Sequence, residues 1–432
     1  MDREPSHRSA SYALFSTGLR KEWLALQNRE IQETPLYSLK LYNFFLYGAM
    51  VIFSSFFPLY LQEIGMDKLE IGSLMAIGPF VSVFANPFWG YTSDRSRNLR
   101  RILLFMITGT LLLLQALFHV HTYVMIYVSM IGFYFFQSPL FAQSNSLILS
   151  YIEGTDRKFG SFRIWGSFGW AVTAAVAGLI IDQTGISSIS TIFTVLLLAA
   201  LICTLAIPPL KSSVETATIH LRGFGSILMN GYFISFILLG ILVSIPNSIN
   251  SAFMSLYITE LGGSKLMLGF AVFMSSIFEI IVFLLFDRFL KKKMTVMVGC
   301  LALVSLLFAL RWELMALATD PIQIVFIQAL HCVTFGGYFY VGTQLTVLFT
   351  PIAYRSSGQA VYTLTWSGIS GIVAGFAGGW LFQNFGGEMM YNAGVFFALL
   401  GFIGFAIMWY MLYKNGYKPC HAEDHKQAEE AP

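Results

Sequence analysis

Residues 102–152, 223–259, 321–354, 356–387 and 389–413 contain no Asp, Glu, Lys or Arg. Each run is long enough for an apolar helix to cross a bilayer once, and the first is long enough to cross twice, because about 20 residues span the hydrocarbon. Charged residues are 11% of the 432, against 56% hydrophobic, and a soluble domain carries roughly 25% charged. So few charges cannot clothe an aqueous surface. The reading is an all-α membrane protein.

Apolar runs and their polar breaks predict twelve spans: 38–63, 68–92, 101–118, 122–151, 160–182, 187–208, 226–259, 266–287, 294–316, 320–349, 357–383 and 388–413. The mid-chain linker at 209–225 divides them six and six. The expected organisation is an N-terminal extension (1–37), a first six-helix bundle (38–208), the linker, a second six-helix bundle (226–413) and a tail (414–432). Within the extension, five basic and five acidic side chains balance over the first 35 residues without an apolar core, so it is no cleavable signal. A short amphipathic turn is expected around Leu19, Trp23 and Leu26.

Orientation follows from Lys and Arg, which are retained on the cytoplasmic side. Of 26 such residues, 23 fall in the termini and the even-numbered connections, and only Lys68, Lys265 and Arg311 fall on the other side. Both termini are therefore expected in the cytoplasm of a cell whose inner membrane holds the chain. The net charge of +3 is dispersed, which argues against a nucleic-acid partner. Cys203, Cys300, Cys332 and Cys420 lie far apart and suggest neither a metal site nor a disulfide scaffold. No nucleotide-binding signature, cofactor site or hydrolase constellation is found, so no enzyme is expected.

The halves echo one another. Span 2 ends in Gly90-x3-Asp94-Arg95 followed by Arg97, Arg100 and Arg101, and span 8 ends in Asp287-Arg288 followed by three lysines. Span 5 carries Gly178 and Gly185 where span 11 carries Gly379 and Gly386. Transporters are built from such paired halves, with the substrate at the midplane between them.

The stretch Gly90-x3-Asp94-Arg95-x4-Arg100-Arg101 resembles the loop signature of the major facilitator superfamily. Charge-assisted bonds made there in one state and released in another can bias a rocking equilibrium, so Gly90, Asp94, Arg95, Arg101, Asp287 and Arg288 are assigned to conformational gating. A narrower resemblance joins Phe159-Gly160-Ser161-Phe162-Arg163-Ile164-Trp165-Gly166-Ser167-Phe168-Gly169-Trp170, Phe57-Pro58-Leu59-Tyr60-Leu61 and Leu330-His331-Cys332-Val333-Thr334-Phe335-Gly336 to the lactose permease group, with its oligosaccharide, nucleoside and phenylpropionate permeases.

That resemblance implies that Arg163 and Trp170 recognise substrate, that Glu279 helps to bind it, and that Arg311 and His331 belong to a coupling network. It also marks departures: Asn145 stands where the group has an acidic partner for the arginine, and Thr334 stands in place of the proton-carrying carboxylate. Asn145 and Asn250 are added to the substrate set from the polar strips of spans 4 and 7. Glu279 is assigned to coupling as well, being the one carboxylate well inside a span; Arg311 or His331 could partner it. An ionisable group in a span is costly enough that function is the default. Each such position also carries a structural alternative: Arg163 could snorkel to the near interface, Arg311 could be an interfacial anchor, Glu279 could belong to an inert buried pair, and His331 could be a hydrogen-bonded core histidine.

The expectation is a monomeric major facilitator in the lipid bilayer, taking up a small organic solute such as a sugar, nucleoside or aromatic acid with a proton or another coupling ion. An exporter of amphiphilic compounds is the alternative within transport, and a non-transporting membrane sensor the alternative outside it. The topology is testable: a membrane-impermeant thiol reagent should leave Cys420 unmodified in intact cells and label it after permeabilisation. Rapid labelling in intact cells would reverse the orientation.

Overall fold

The computed structural model describes residues 36–96, 98–120, 122–152, 155–208, 230–291, 293–350 and 355–417. Most of the expected N-terminal extension with its amphipathic turn, the linker and most of the tail lie outside these, as do the side chains of Asp94, Asp287 and Trp366. The described residues are helical and contain no strand. In hydrocarbon each peptide group must be paired within its own segment, and a helix does so without help from a neighbour.

Twelve crossings follow in order: α1 (Tyr37–Glu63), α2 (Lys68–Ser96), α3 (Leu99–His119), α4 (Tyr123–Gln137 and Leu140–Ile152), α5 (Gly160–Thr184) and α6 (Ile189–Leu205) form the first half. The second comprises α7 (Gly231–Glu260), α8 (Lys265–Ile277 and Glu279–Phe289), α9 (Met294–Ala316), α10 (Pro321–Ile327 to Gly337–Phe349), α11 (355–385) and α12 (387–415). Eleven stretches among the described residues are long and apolar enough to cross. The last contains two crossings. Gly379–Asn415 is a run of 37 residues, about 55 Å if straight, and Gly386 breaks it with φ 81° and ψ 175°. Only glycine adopts that conformation without strain.

Local chemistry sets several helix starts. Asn98, Asn230 and Ser264 accept hydrogen bonds from backbone N–H groups in the first turns of α3, α7 and α8, as capping residues should. Asp320 and Gln323 form a reciprocal capping box ahead of α10. Pro139 follows the C-terminal cap of the first α4 segment, where its missing N–H does the least harm. α10 is irregular, passing through a tight turn at Gln328–Leu330 and a π-helical turn at Cys332–Gly336, and α11 carries two further π-helical stretches at Leu364–Ile369 and Ala374–Gly378.

The two halves meet along α1 with α7, α2 with α11 and α5 with α8. In α8 the segment packed on α5 is Lys265–Ile277, and in α11 the part packed on α2 begins at Leu364. The seam therefore runs at the end of the molecule that carries the α1–α2 and α7–α8 turns. Glycines make it possible. A side chain at Gly72 would strike the carbonyl of Gly375, and one at Gly178 would sit 2.7 Å from the carbonyl of Lys265. Small residues let helix backbones approach where lipid gives no hydrophobic drive for association.

The seam is built twice, and the glycine pairs of spans 5 and 11 are only one part of the repeat. Glu63-x-Gly65-x2-Lys68-x3-Gly72 reappears as Glu260-x-Gly262-x2-Lys265-x3-Gly269. Gly65 and Gly262 both have positive φ, 95° and 83°, and so do Gly185 and Gly386, 88° and 81°. Lys68 N donates to Gln383 Oε1 at 3.0 Å, while Lys265 N donates to Asp182 Oδ1 at 3.1 Å. Gln383 lies four residues beyond Gly379, as Asp182 lies four beyond Gly178. The halves are therefore related residue by residue at this end.

Candidate functional site

Arg163 belongs to the first turn of α5, and its side chain runs toward the middle of the span. Nη1 donates to Ser167 Oγ at 3.2 Å, and the guanidinium lies 4.4 Å from the centre of the Tyr47 ring, within cation–π range. Tyr47 is ten residues into α1, about 15 Å from its start at 1.5 Å per residue. α1 has 27 residues, so Tyr47 lies well inside the span. α1 comes close enough because Gly166 faces the Tyr47 ring and Gly169 faces the Phe44 backbone.

Glu279 follows the break in α8 at Phe278 and packs against α10. A Cβ at Gly336 would lie 3.3 Å from Glu279 Cγ, so the glycine of the π turn makes room for this side chain. Among the described residues Glu279 has neither a hydrogen-bond nor an ion-pair partner. The cation that acts on it electrostatically is Arg163, from the other half.

Arg311 and His331 are not that partner. Arg311 is fully buried, which removes the interfacial-anchor alternative, and it is engaged within its own half. Nη2 donates to Gln328 Oε1 at 2.5 Å, Nη1 to His331 Nδ1 at 3.0 Å and, at 3.4 Å, to Thr334 Oγ1. Its guanidinium also lies 4.5 Å from the Trp312 ring. Arginine has no lone pair to offer, so His331 must accept at Nδ1 and carry its proton on Nε2. A second proton would remove the acceptor and place two cations in contact. His331 is thus a neutral acceptor here, stacked on Phe335 at 4.9 Å. All three acceptors come from the irregular part of α10 and are spaced three residues apart, on one face.

The other substrate candidates are scattered. Trp170 lies two turns beyond Arg163, half-buried against the core. Asn145 has a buried Oδ1 with no hydrogen-bond partner, as do Asn247 in α7 and Ser138 Oγ beside the α4 break. Such atoms want water or a ligand. Asn250 instead turns into the second half, where its Oδ1 accepts from the Tyr391 hydroxyl at 3.0 Å.

At the α2–α3 connection, Arg95 and Arg101 are exposed and Gly90 faces open space. Arg100 donates to the carbonyls of Thr204, at 3.1 Å, and Leu205. It caps the C-terminus of α6, where the helix dipole favours a cation. With Asn98, Arg101 and Leu104 it lines an open cavity of about 230 Å³. Arg288 is exposed, 5.5 Å from the Phe289 ring. Sequence reasoning misses Tyr47 and Gln328 in these networks, and places Arg100 in the loop signature without its bonds to the end of α6. A tyrosine in the aromatic-rich α1 gives no local sign of the cation it will face. Gln328 does give one, being a polar side chain three residues before His331 in an apolar run.

Twelve crossings in two related halves, joined by a glycine seam, with ionisable groups at mid-depth, define a membrane transporter of the major facilitator type. The chain belongs to the MFS_1 like family, whose model matches residues 36–393. It is 26% identical over 359 residues to the uncharacterized transporter YwbF of Bacillus subtilis (strain 168), covering 81% of this chain and 86% of that protein. It is 26% identical over 379 residues to the maltose permease of Geobacillus stearothermophilus, covering 84% and 91%. A probable 3-phenylpropionic acid transporter of Escherichia coli (strain K12) is 25% identical over 307 residues, covering 68% and 76%. Among solved structures, the nucleoside transporter NupG superimposes with a TM-score of 0.70 at 18% identity, covering 89% of this chain and 100% of that one. At that identity the likeness concerns the fold.

The Arg311 cluster makes a stability prediction. Gln328→Leu removes the shortest bond to a buried guanidinium and leaves an unsatisfied donor, worth about 1.5–3 kcal/mol for a charged group. Thermal unfolding in detergent should show a clear drop in Tm, and an unchanged Tm would show that the guanidinium finds water there.

Proposed function

We propose that this transporter takes up a small organic solute with protons by alternating access, binding it between the halves near Arg163 and Glu279. The observation that carries the reading is the placement of these two groups: one cation and one carboxylate at mid-depth, contributed by different halves, neither held in an ion pair among the described residues. A site of this kind strengthens or weakens as the halves rock. The bundles are taken as 38–208 and 226–413, in a monomer in the inner membrane. With both termini cytoplasmic, the seam closes the outer end and the site faces inward in this state.

Arg163 supplies recognition. A guanidinium without a carboxylate partner in a low-dielectric site favours a carboxylate or a dense set of hydroxyls. The names of the relatives, a maltose permease and a probable 3-phenylpropionic acid transporter, cover both chemistries. Trp170 offers a flat apolar face, and Asn145 an unused acceptor. Glu279 supplies coupling, since a carboxylate can change charge within the aqueous range, whereas His331 is committed as acceptor to Arg311. Asp94, Arg95, Arg101, Asp287 and Arg288 form the gating set at the opposite end from the seam.

Two substitutions test the roles. Glu279→Gln should retain solute binding but lose accumulation driven by a pH gradient in proteoliposomes; retained accumulation would move coupling to another group or ion. Arg163→Lys keeps the charge but loses the planar two-pronged donor, so calorimetry should show roughly tenfold weaker binding, from about 1.5 kcal/mol per charge-assisted bond. Unchanged affinity, or a preference for cationic solutes, would remove Arg163 from the site.

A further inference from the structure

The duplicated motif at the seam is used unequally. Lys68 opens α2, held in place by reciprocal capping bonds between Asp67 and Glu70, Asp67 N to Glu70 Oε2 at 2.9 Å and Glu70 N to Asp67 Oδ1 at 2.8 Å. From there it reaches two spans of the other half at once. Nζ forms an ion pair with Glu260 at the end of α7, at 2.6 Å, and lies 3.7 Å from the centre of the Phe382 ring of α11. Its backbone N–H meets Gln383 of α11. The ion pair joins the two halves.

Its symmetry mate is unmade. Lys265 occupies the Lys68 position of the second repeat, and Glu63 occupies the Glu260 position. Lys265 has its backbone bond to Asp182 but no ion-pair partner among the described residues. The ring is missing as well: Phe382, three residues after Gly379, corresponds to Ile181, three after Gly178. The two arms share a backbone design and differ in whether a charge locks it.

We propose that Lys68 is the positioning residue that holds this end of the transporter closed, joining α2 to α7 and α11 through Glu260 and Phe382, and that the matching α5–α8 arm carries no such lock. The proposal rests on the alternating-access reading for its meaning in transport. Its structural content, which arm is locked, is independent of substrate and coupling ion. Lys68 is mostly sheltered and Glu260 partly exposed, with side chains 23% and 43% accessible. A partly exposed ion pair and a cation–π contact are each modest in strength. Together they set a population ratio on the order of tenfold.

The test is the distance between spin labels at Gln62 and Thr319, exposed residues of opposite halves at this end, measured by double electron–electron resonance on full-length protein with its native cysteines replaced. Lys68→Gln should move the distribution toward longer distances, changing the ratio of open to closed by on the order of tenfold. Lys265→Gln, the same charge change at the equivalent position, should leave it unmoved. Glu260→Gln reads the same lock from the other partner, should Lys68→Gln fail to fold. An unmoved distribution in Lys68→Gln or Glu260→Gln would overturn the proposal, and so would equal shifts in the lysine variants, which would indicate general surface charge. Failure of the wild-type protein to take up any solute, with the distance response intact in the variants, would count against the transport reading and leave the lock standing.

Discussion

An ion inside a bilayer is costly unless it is paired, hydrogen-bonded or wet, and the arrangement of this molecule follows from how it meets that cost. Arg311 meets it by hydrogen bonding: three neutral acceptors from α10 surround a fully buried guanidinium. Arg163 meets it with a tyrosine face and a hydroxyl. Glu279 meets it incompletely, with a glycine behind it and a cation from the other half as its electrostatic neighbour. Glu279 is a carboxylate without a hydrogen-bond or ion-pair partner among the described residues, and its electrostatic neighbour Arg163 belongs to the other half, which is why the proposed coupling role falls to it.

The same constraint explains the irregular helices. A regular α10 would present positions 328, 331 and 334 as an ordinary i, i+3 stripe. The tight and π-helical turns at 328–336 allow that stripe to converge on Arg311 while Gly336 backs onto Glu279. Non-helical backbone in a membrane persists where neighbouring spans or a wet cavity satisfy it. One span in each half is broken beside a polar group: α4 breaks at Ser138, whose hydroxyl has no partner, and α8 breaks at Phe278, beside Glu279. At the far end, by contrast, backbone meets backbone through glycine and the packing is dry and close.

Much of this is legible in the sequence because charge exclusion is so strict. Twelve crossings, their division and the glycine correspondence between Gly178–Gly185 and Gly379–Gly386 follow from residue types and spacing alone. The rotation of a helix about its axis does not. Arg311-Trp312-Glu313 taken alone fits either an interfacial anchor or an inward group, and packing decides that Arg311 turns inward to α10, where it bonds His331. Asn250 reads as a cavity residue because span 7 is polar around it, yet Tyr391, 141 residues later, bonds to its oxygen. The repeat Glu-x-Gly-x2-Lys-x3-Gly is written in the residues as plainly as the basic loops are. It is easily passed over because it occupies two short turns with few charges, and its meaning appears only when the backbone bonds of Lys68 and Lys265 are seen to match.

If a carboxylate at mid-depth couples solute movement to a proton, solute and proton must enter together. The most direct measurement is the external pH of proteoliposomes when solutes from a panel of sugars, nucleosides and aromatic carboxylates are added, with no label and no imposed gradient. Any solute that enters wild-type vesicles should draw protons in with it and raise the external pH. Entry of solute with no change in external pH would contradict proton coupling.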